Sequence, residues 1–187
     1  MKNDREALQT FIRRRTDDCR VCVVGDVMLD KYFYGEVTRI SPEAPVPVTR
    51  VVKTKETLGG AANVAHNLAL LGCHTMVMGY IGSDYHGESL LARFKKRGIG
   101  VGGLVKTAAP TTTKLRVIGG HQQMMRLDFE ETGPATAREE ARLIYKAEKS
   151  LAAGAQAVVL SDYGKGACTA AVCANYQIGR ASCRERV

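Results

Sequence analysis

The sequence has no apolar run approaching the ~20 residues needed to span a bilayer. Met1 to Arg15 is charged and carries no apolar stretch of the secretory kind. The expected setting is the cytoplasm, with no membrane partner. No G-x-G-x-x-G follows the first strand, so a dinucleotide site is not expected. No RNP, zinc-finger or basic-helix pattern accompanies the net charge of +8. The basic residues are scattered, and Arg13-Arg14-Arg15, the one short run, reads as a solvated helix end. Nucleic acid is therefore not an expected partner, whereas an anionic small substrate needs only a few such charges. Cys19 and Cys22 have C-x-x-C spacing, but no second pair and no neighbouring histidines complete a metal site. Cys73, Cys168 and Cys173 read as small buried residues of a reduced compartment.

What is present fits one soluble domain. The chain has 187 residues, 45% hydrophobic and 25% charged. Its organising stretch is Gly59-Gly60-Ala61-Ala62-Asn63-Val64-Ala65-His66-Asn67. Ala61, Val64, Ala65, Leu68 and Leu71 recur at helical spacing, and Gly72 closes the run. Two glycines before a helix let a ligand approach the backbone, where free first-turn N–H groups meet it. Asn63 and Asn67 share a face of that helix.

In chain order, residues 4–15 read as a short amphipathic helix with Leu8, Phe11 and Ile12 on one face. Arg20 to Val24 is a valine-rich run suited to a strand buried on both sides, and it ends in Gly25-Asp26. An acid at that end of a parallel strand stands where open α/β sheets bind ligands. Tyr32 to Gly35 and Val46 to Val52 read as two short strands, demoted to sheet edges by Pro45 and Pro47 and forming a flap or lid. Residues 75–81 are a second core strand, and Asp84 caps a helix from His86 to Arg97 that Gly98 ends. Residues 101–106 form a strand, and 111–118 and 122–130 form a hairpin about Gly119-Gly120. Lys114 and Arg116 share one face of that hairpin, as do Arg126 and Asp128. Asp128 reads as part of a solvated sheet face, and at least one of the three cations suits a phosphate. Thr136 to Glu139 is a capping box opening a helix to about Ala153. Ala157 to Leu160 is a buried strand that ends in Ser161-Asp162-Tyr163-Gly164-Lys165-Gly166. Strands alternating with helices predict an α/β fold with a parallel sheet. Asp26, the Gly59-Gly60 helix start, Asp162 and Lys165 all gather at its ligand-binding edge. Acids suit sugar hydroxyls and a lysine suits phosphate.

Six stretches together resemble the ribokinase-like (PfkB) carbohydrate kinases. They are residues 23–30, 39–48, Gly59 to Ala65, Thr113 to Val117, Arg126 to Glu131, and Leu160 to Gly166. The Ile-Ser-Pro-Glu-Ala-Pro-Val-Pro-Val run and the Arg-Leu-Asp-Phe-Glu-Glu strand point to the heptose-7-phosphate kinase branch. The resemblance implies a three-layer α/β sandwich with a β-strand lid near residues 32–52 and 111–129, cut about midway. It implies transfer of the γ-phosphoryl of ATP, with Mg2+, to the anomeric hydroxyl of D-glycero-D-manno-heptose 7-phosphate, for ADP-heptose and lipopolysaccharide core synthesis. Asp26 would hold sugar hydroxyls, and Gly59, Gly60 and Asn63 would line the pocket. Asp162 would stand beside it. Lys165, with Lys114, Arg116 or Arg126, would grip the phosphate. The lid would double as a homodimer interface. Alternatives are a kinase of another sugar phosphate and a non-catalytic sugar-binding or dimerising module.

The family's Asp-Thr-x-Gly-Ala-Gly-Asp signature, which carries the catalytic base and most of the ATP site, does not occur in the sequence. No catalytic residue is therefore expected in this chain, and turnover is not expected from it. Residues 177–187 resemble a translated sequencing adapter. The expected organisation is a kinase portion over residues 1–176 followed by a non-native tail.

Overall fold

The computed structural model describes residues 18–131 and 135–176, together with residues 10, 16 and 133. The helix expected over residues 4–15, apart from residue 10, and the tail 177–187 lie outside the described residues.

The body is a parallel sheet of four strands in the order β5-β4-β1-β8. β1 is Arg20–Gly25, β4 is His74–Gly82, β5 is Gly100–Thr107 and β8 is Ala157–Ser161. Alternation along β1 divides its side chains between two cores. Val23 joins Val77, Leu90, Phe94 and the alanines of a helix on one side. Cys22 and Val24 join Met78, Val105, Leu143 and Ala147 on the other. Each fully buried Val or Leu contributes about 1.5–3 kcal/mol relative to exposure, and both faces must be covered for such a sheet to be stable.

Helices α1 (Ala61–Leu70) and α2 (Tyr85–Lys96) cover the first face. Helices α3 (Ala137–Ala152) and α4 (Ala170–Ala174) cover the second. The three-layer α/β arrangement follows the sequence expectation. Asp84 caps α2 by accepting the Gly87 N–H at 2.7 Å, and the Thr136–Glu139 capping box opens α3. Leu71, read as a core position of α1, is the exposed C-cap residue, and Ala61, Ala62 and Ala65 are what α1 buries. β8 is half-buried where the sequence suggested full burial, because it is the edge strand of the described sheet.

A second sheet, in the order β3-β2-β6-β7, stands over the body. β2 is Val27–Ile40, β3 is Pro47–Gly60, β6 is Thr113–Gly119 and β7 is Gln122–Phe129. Here the structure corrects the reading of two short edge strands. β2 and β3 are each 14 residues long, and β2 lies inside the sheet, parallel to β6 and antiparallel to β3. The prolines behave as their missing N–H requires. Pro42 and Pro45 sit in the 41–46 connection, and Pro47 opens β3, which is the true edge. β2 starts one residue after β1 ends, so Val27 and Leu29 are buried in the body core while residues 36–40 are exposed.

Candidate acceptor-binding site

Asp26 fills the one-residue gap between β1 and β2, and it is 3% exposed. Its Oδ2 accepts the N–H groups of Tyr163 at 2.7 Å and Lys165 at 3.0 Å, and its Oδ1 accepts that of Ala167 at 3.0 Å. Its own N–H donates to the Ser161 carbonyl at 3.1 Å, and its carbonyl accepts the Ala61 N–H at 2.9 Å. The residue expected to hold sugar hydroxyls thus holds the loop after β8 and the start of α1. One first-turn N–H of α1, expected to be free, is already taken. Asp162 accepts the Gly164 N–H at 3.0 Å and stays exposed in the same loop.

The two glycines form the end of β3 rather than a loop, and each makes room for a different acid. Gly60 has φ +52°, a conformation L side chains rarely adopt, and a Cβ there would lie 2.3 Å from the Asp26 carbonyl oxygen. A Cβ on Gly59 would lie 2.6 Å from Asp30 Oδ2. Asn63 is exposed in the first turn of α1, beside this pair.

Asp30 is the residue that sequence reasoning passed over. Its Oδ1 accepts a hydrogen bond from Arg116 Nη1 at 2.6 Å, and each side chain is about one-fifth exposed, at 21% and 22%. The register pairs Asp30 with Lys114, Tyr32 with Arg116, Lys114 with Asp128 and Arg116 with Arg126. Residues paired across a sheet share a face, so one lid face carries Asp30, Lys114, Arg116, Arg126 and Asp128. The Arg116 guanidinium also lies 5.2 Å from the centre of the Tyr32 ring, which in turn stacks on Tyr34. Burial works against the Arg116 charge, but the Asp30 hydrogen bond and charge outweigh it and hold its pKa above the ordinary arginine value.

Asp128 lies on the exposed strand β7, as the sequence predicts, and is ion-paired there. It accepts two hydrogen bonds from Arg126, at 2.9 and 3.0 Å, and one from Lys114 at 3.4 Å. Slight burial raises its pKa, and the Arg126 hydrogen bond and Lys114 charge reverse that, leaving it below the usual carboxylate range. With Lys55 and Lys53 of β3, paired to Tyr32 and Tyr34, the face as far as Tyr34 holds five cations against two acids.

Lys165 stands apart from these cations. Its Nζ donates to Glu130 Oε1 at 2.8 Å, tying the end of β7 to the Asp26-held loop. The second oxygen of Glu130 is buried without a partner. Lys165 also borders a cavity of about 280 Å³ with Tyr80, Thr107, Thr136 and Glu139. A larger cavity of about 770 Å³, lined by Met76, Gly102, Arg142 and Tyr145, shares no residue with this site. Among the described residues no cluster of three His, Cys, Asp or Glu side chains suits a metal ion. Among them, too, no helix is long and apolar enough to cross a membrane.

Two acids at the sheet edge, a glycine gap and a cationic lid strand suit a hydroxylated, anionic small molecule. Residues 19–181 match the pfkB family carbohydrate kinases. The chain belongs to this family. It is 51% identical over 148 residues to the bifunctional protein HldE of Hahella chejuensis, covering 79% of this chain and 30% of that protein. It is 47% identical over 159 residues to the D-beta-D-heptose 7-phosphate kinase of Bordetella bronchiseptica, covering 85% and 50%. The chain thus spans between about a third and a half of the length of these relatives. Among solved structures, the tetrameric inhibited form of phosphofructokinase-2 from Escherichia coli matches with TM-score 0.60 at 19% identity, over 85% of this chain and 51% of that one. A carbohydrate kinase from Agrobacterium tumefaciens matches with TM-score 0.56 at 17% identity, over 76% and 45%. At these identities the structural likeness speaks for the fold.

Proposed function

We propose that these residues form the acceptor side of a kinase for D-glycero-D-manno-heptose 7-phosphate, in which ATP with Mg2+ supplies the phosphoryl group for the anomeric hydroxyl. The cytoplasm is the proposed setting, and residues 177–187 lie outside the functional part. The observation that carries this reading is the Asp30–Arg116 pair set over the Gly59 gap, with Lys114 and Arg126 on the same lid face. A carboxylate is a strong acceptor for sugar hydroxyls, and a guanidinium matches a phosphate through two parallel hydrogen bonds. Without a guest the two side chains neutralise each other. A phosphorylated sugar offers each its own partner, the hydroxyls to Asp30 and the phosphate to Arg116.

The remaining residues have supporting roles. Asp26 holds the 162–167 loop in place beside the pocket, with Asp162 on its exposed side. Gly60 and Asn63 shape the floor at the start of α1. Lys165 fixes the lid to that loop through Glu130 and lends positive charge at the pocket edge. When bound, the nucleotide and its metal supply the transferred group and neutralise its charge. The group that would take the hydroxyl proton belongs to a signature absent from the 187 residues. The proposal therefore assigns this chain binding without turnover.

Calorimetric titration of the chain with heptose 7-phosphate and with the unphosphorylated heptose tests this reading, alongside a phosphotransfer assay. The expected result is saturable binding of the phosphorylated sugar, binding at least ~10-fold weaker for the other, and no turnover. Equal affinity for both sugars, or binding of neither, overturns it.

The lid also suggests a partner, a second copy of the chain. Opposite its charged face, Met125, Leu127 and Phe129 on β7 are 54%, 43% and 46% exposed, an apolar strip that a like surface would cover. Sedimentation at rising concentration checks it: Leu127→Glu is expected to leave a monomer where the parent chain dimerises, and a monomeric parent overturns it.

A further inference from the structure

We propose that Cys19 and Cys73 form a redox-responsive thiol pair that closes to a disulfide when a peroxide reaches the N-terminal edge of the parallel sheet. The ladder between β1 and β4 begins with Arg20 opposite His74. One residue earlier, Cys19 stands opposite Cys73, and the His74 N–H donates to the Cys19 carbonyl at 2.8 Å, so the strands are still bonded there. Neighbouring strands lie about 4.8 Å apart. That is within the ~4.4–6.8 Å Cα separation a disulfide spans without backbone movement. Residues opposite one another leave a sheet on the same side. The two thiols also sense each other: burial raises the Cys73 pKa, and the neighbouring Cys19 charge and hydrogen bond raise it further.

Both sides of the pair are held, Cys19 by its N–H donating to the Thr16 carbonyl at 2.9 Å and Cys73 by two bonds. The Thr75 hydroxyl donates to the Cys73 carbonyl at 3.2 Å, and the Cys73 N–H donates to the Leu68 carbonyl at 3.1 Å. Exposure divides the roles. Cys73 is only 9% exposed, whereas Cys19 is partly open to solvent, so Cys19 meets the oxidant and Cys73 resolves it. Cys22 is sealed in the core, and burial pushes the Cys168 thiol up to about 12, which leaves neither suited to meet the oxidant first.

The chemistry balances with one peroxide. The Cys19 thiolate attacks a peroxide oxygen, the O–O bond breaks, and the departing oxygen leaves as water after taking a proton. Cys19 is then a sulfenic acid. The Cys73 sulfur attacks the Cys19 sulfur, the S–O bond breaks, and the released hydroxide takes the Cys73 thiol proton to leave as a second water. Two electrons pass from the thiols to the peroxide. The bond closes the chain around the whole β2–β3 ribbon and α1. It lies at the opposite edge of the sheet from Asp26 and Gly60, so it acts on stability without entering the acceptor site.

The 187-residue chain, treated with hydrogen peroxide under native conditions, alkylated and mapped by mass spectrometry without reduction, gives the test. The expected product is a Cys19–Cys73 cross-link lighter by two hydrogens, reversed by dithiothreitol, with a raised thermal midpoint. Cys73→Ser is expected to stop at a Cys19 sulfenic acid that dimedone traps. The same treatment of the urea-unfolded chain is expected to spread pairing over all six cysteines. Alkylation of both Cys19 and Cys73 after native oxidation, or a native pairing pattern no different from the unfolded one, overturns the proposal.

Discussion

Arg116 and Asp30, 86 residues apart in sequence, meet at 2.6 Å across the parallel β2–β6 pair. If the pair reads a phosphorylated sugar, Arg116→Ala and Asp30→Asn each weaken acceptor binding by roughly 10–100-fold, the loss of one or two charge-assisted hydrogen bonds. Arg116→Lys recovers only part, because an ammonium lacks the planar fork. Titration calorimetry on the three variants measures this, and unchanged affinity in Arg116→Ala removes the phosphate role.

Gly59→Ala and Gly60→Ala separate binding from stability. The Gly59 methyl meets the movable Asp30 carboxylate at 2.6 Å, so binding falls while the fold holds. The Gly60 methyl meets the Asp26 backbone oxygen at 2.3 Å in a left-handed conformation, at a cost of about 1–3 kcal/mol in stability. Urea unfolding of both variants distinguishes the two outcomes.

Asp26→Ala strips the hydrogen-bond acceptor from three backbone N–H groups. A buried donor left unpaired costs about 1–3 kcal/mol. The Tyr163 and Lys165 donors are only partly buried and can turn to water, so a loss of about 2–4 kcal/mol is expected. Amide exchange at Tyr163, Lys165 and Ala167 accelerates first. Unaltered exchange there would mean that Asp26 does not hold the loop.

Glu56 makes the lid root acid-labile. It bonds Lys31 at 3.3 Å, Arg93 at 2.7 Å and the Ser89 hydroxyl at 2.7 Å. Burial raises its pKa, but the Ser89, Arg93 and Lys31 contacts outweigh that and lower it from 4.5 to about 2. A carboxyl with a depressed folded pKa contributes stability above its unfolded pKa. That contribution fades as pH falls from about 4.5 to about 2. Thermal midpoints across this window should drop less in Glu56→Gln than in the parent chain.

Thr136→Ala removes the capping-box hydroxyl that accepts the Glu139 N–H at 3.3 Å. The expected cost is about 1 kcal/mol, read as an earlier urea midpoint with an unchanged slope.

The body of the fold was legible because its signals are local. Val21 to Val24, the Asp84 cap and the Thr136–Glu139 box each announce an element within a few residues. The lid was only half legible. The register slips twice between β2 and β3, with Val52 extra on β3 and Thr38 extra on β2, so neither 14-residue strand keeps one alternation along its length and each reads as a short one. Asp30 was missed for a related reason. Its partner lies on a strand whose register no local pattern states, while Asp26, at the strand end, drew the attention that Asp30 shares. The signal was present: Met28, Asp30 and Tyr32 alternate on one side of a strand that starts directly after Asp26. The ion pairing of Asp128 on its exposed strand likewise required the hairpin register that sets it opposite Lys114.

β2 runs unbroken from the body core to the lid tip, and this makes the ribbon a cantilever. It is clamped where Val27 and Leu29 are buried and Glu56 is bonded to α2. A beam fixed at one end deflects most at the other. If Asp30 reads a guest as proposed, the 41–46 tip would be the part free to move over it while Asp30, near the clamp, keeps its place. On that proposal, reading the guest and enclosing it fall to opposite ends of one strand, so lengthening or stiffening the tip is expected to alter how long a guest stays without altering which guest is chosen.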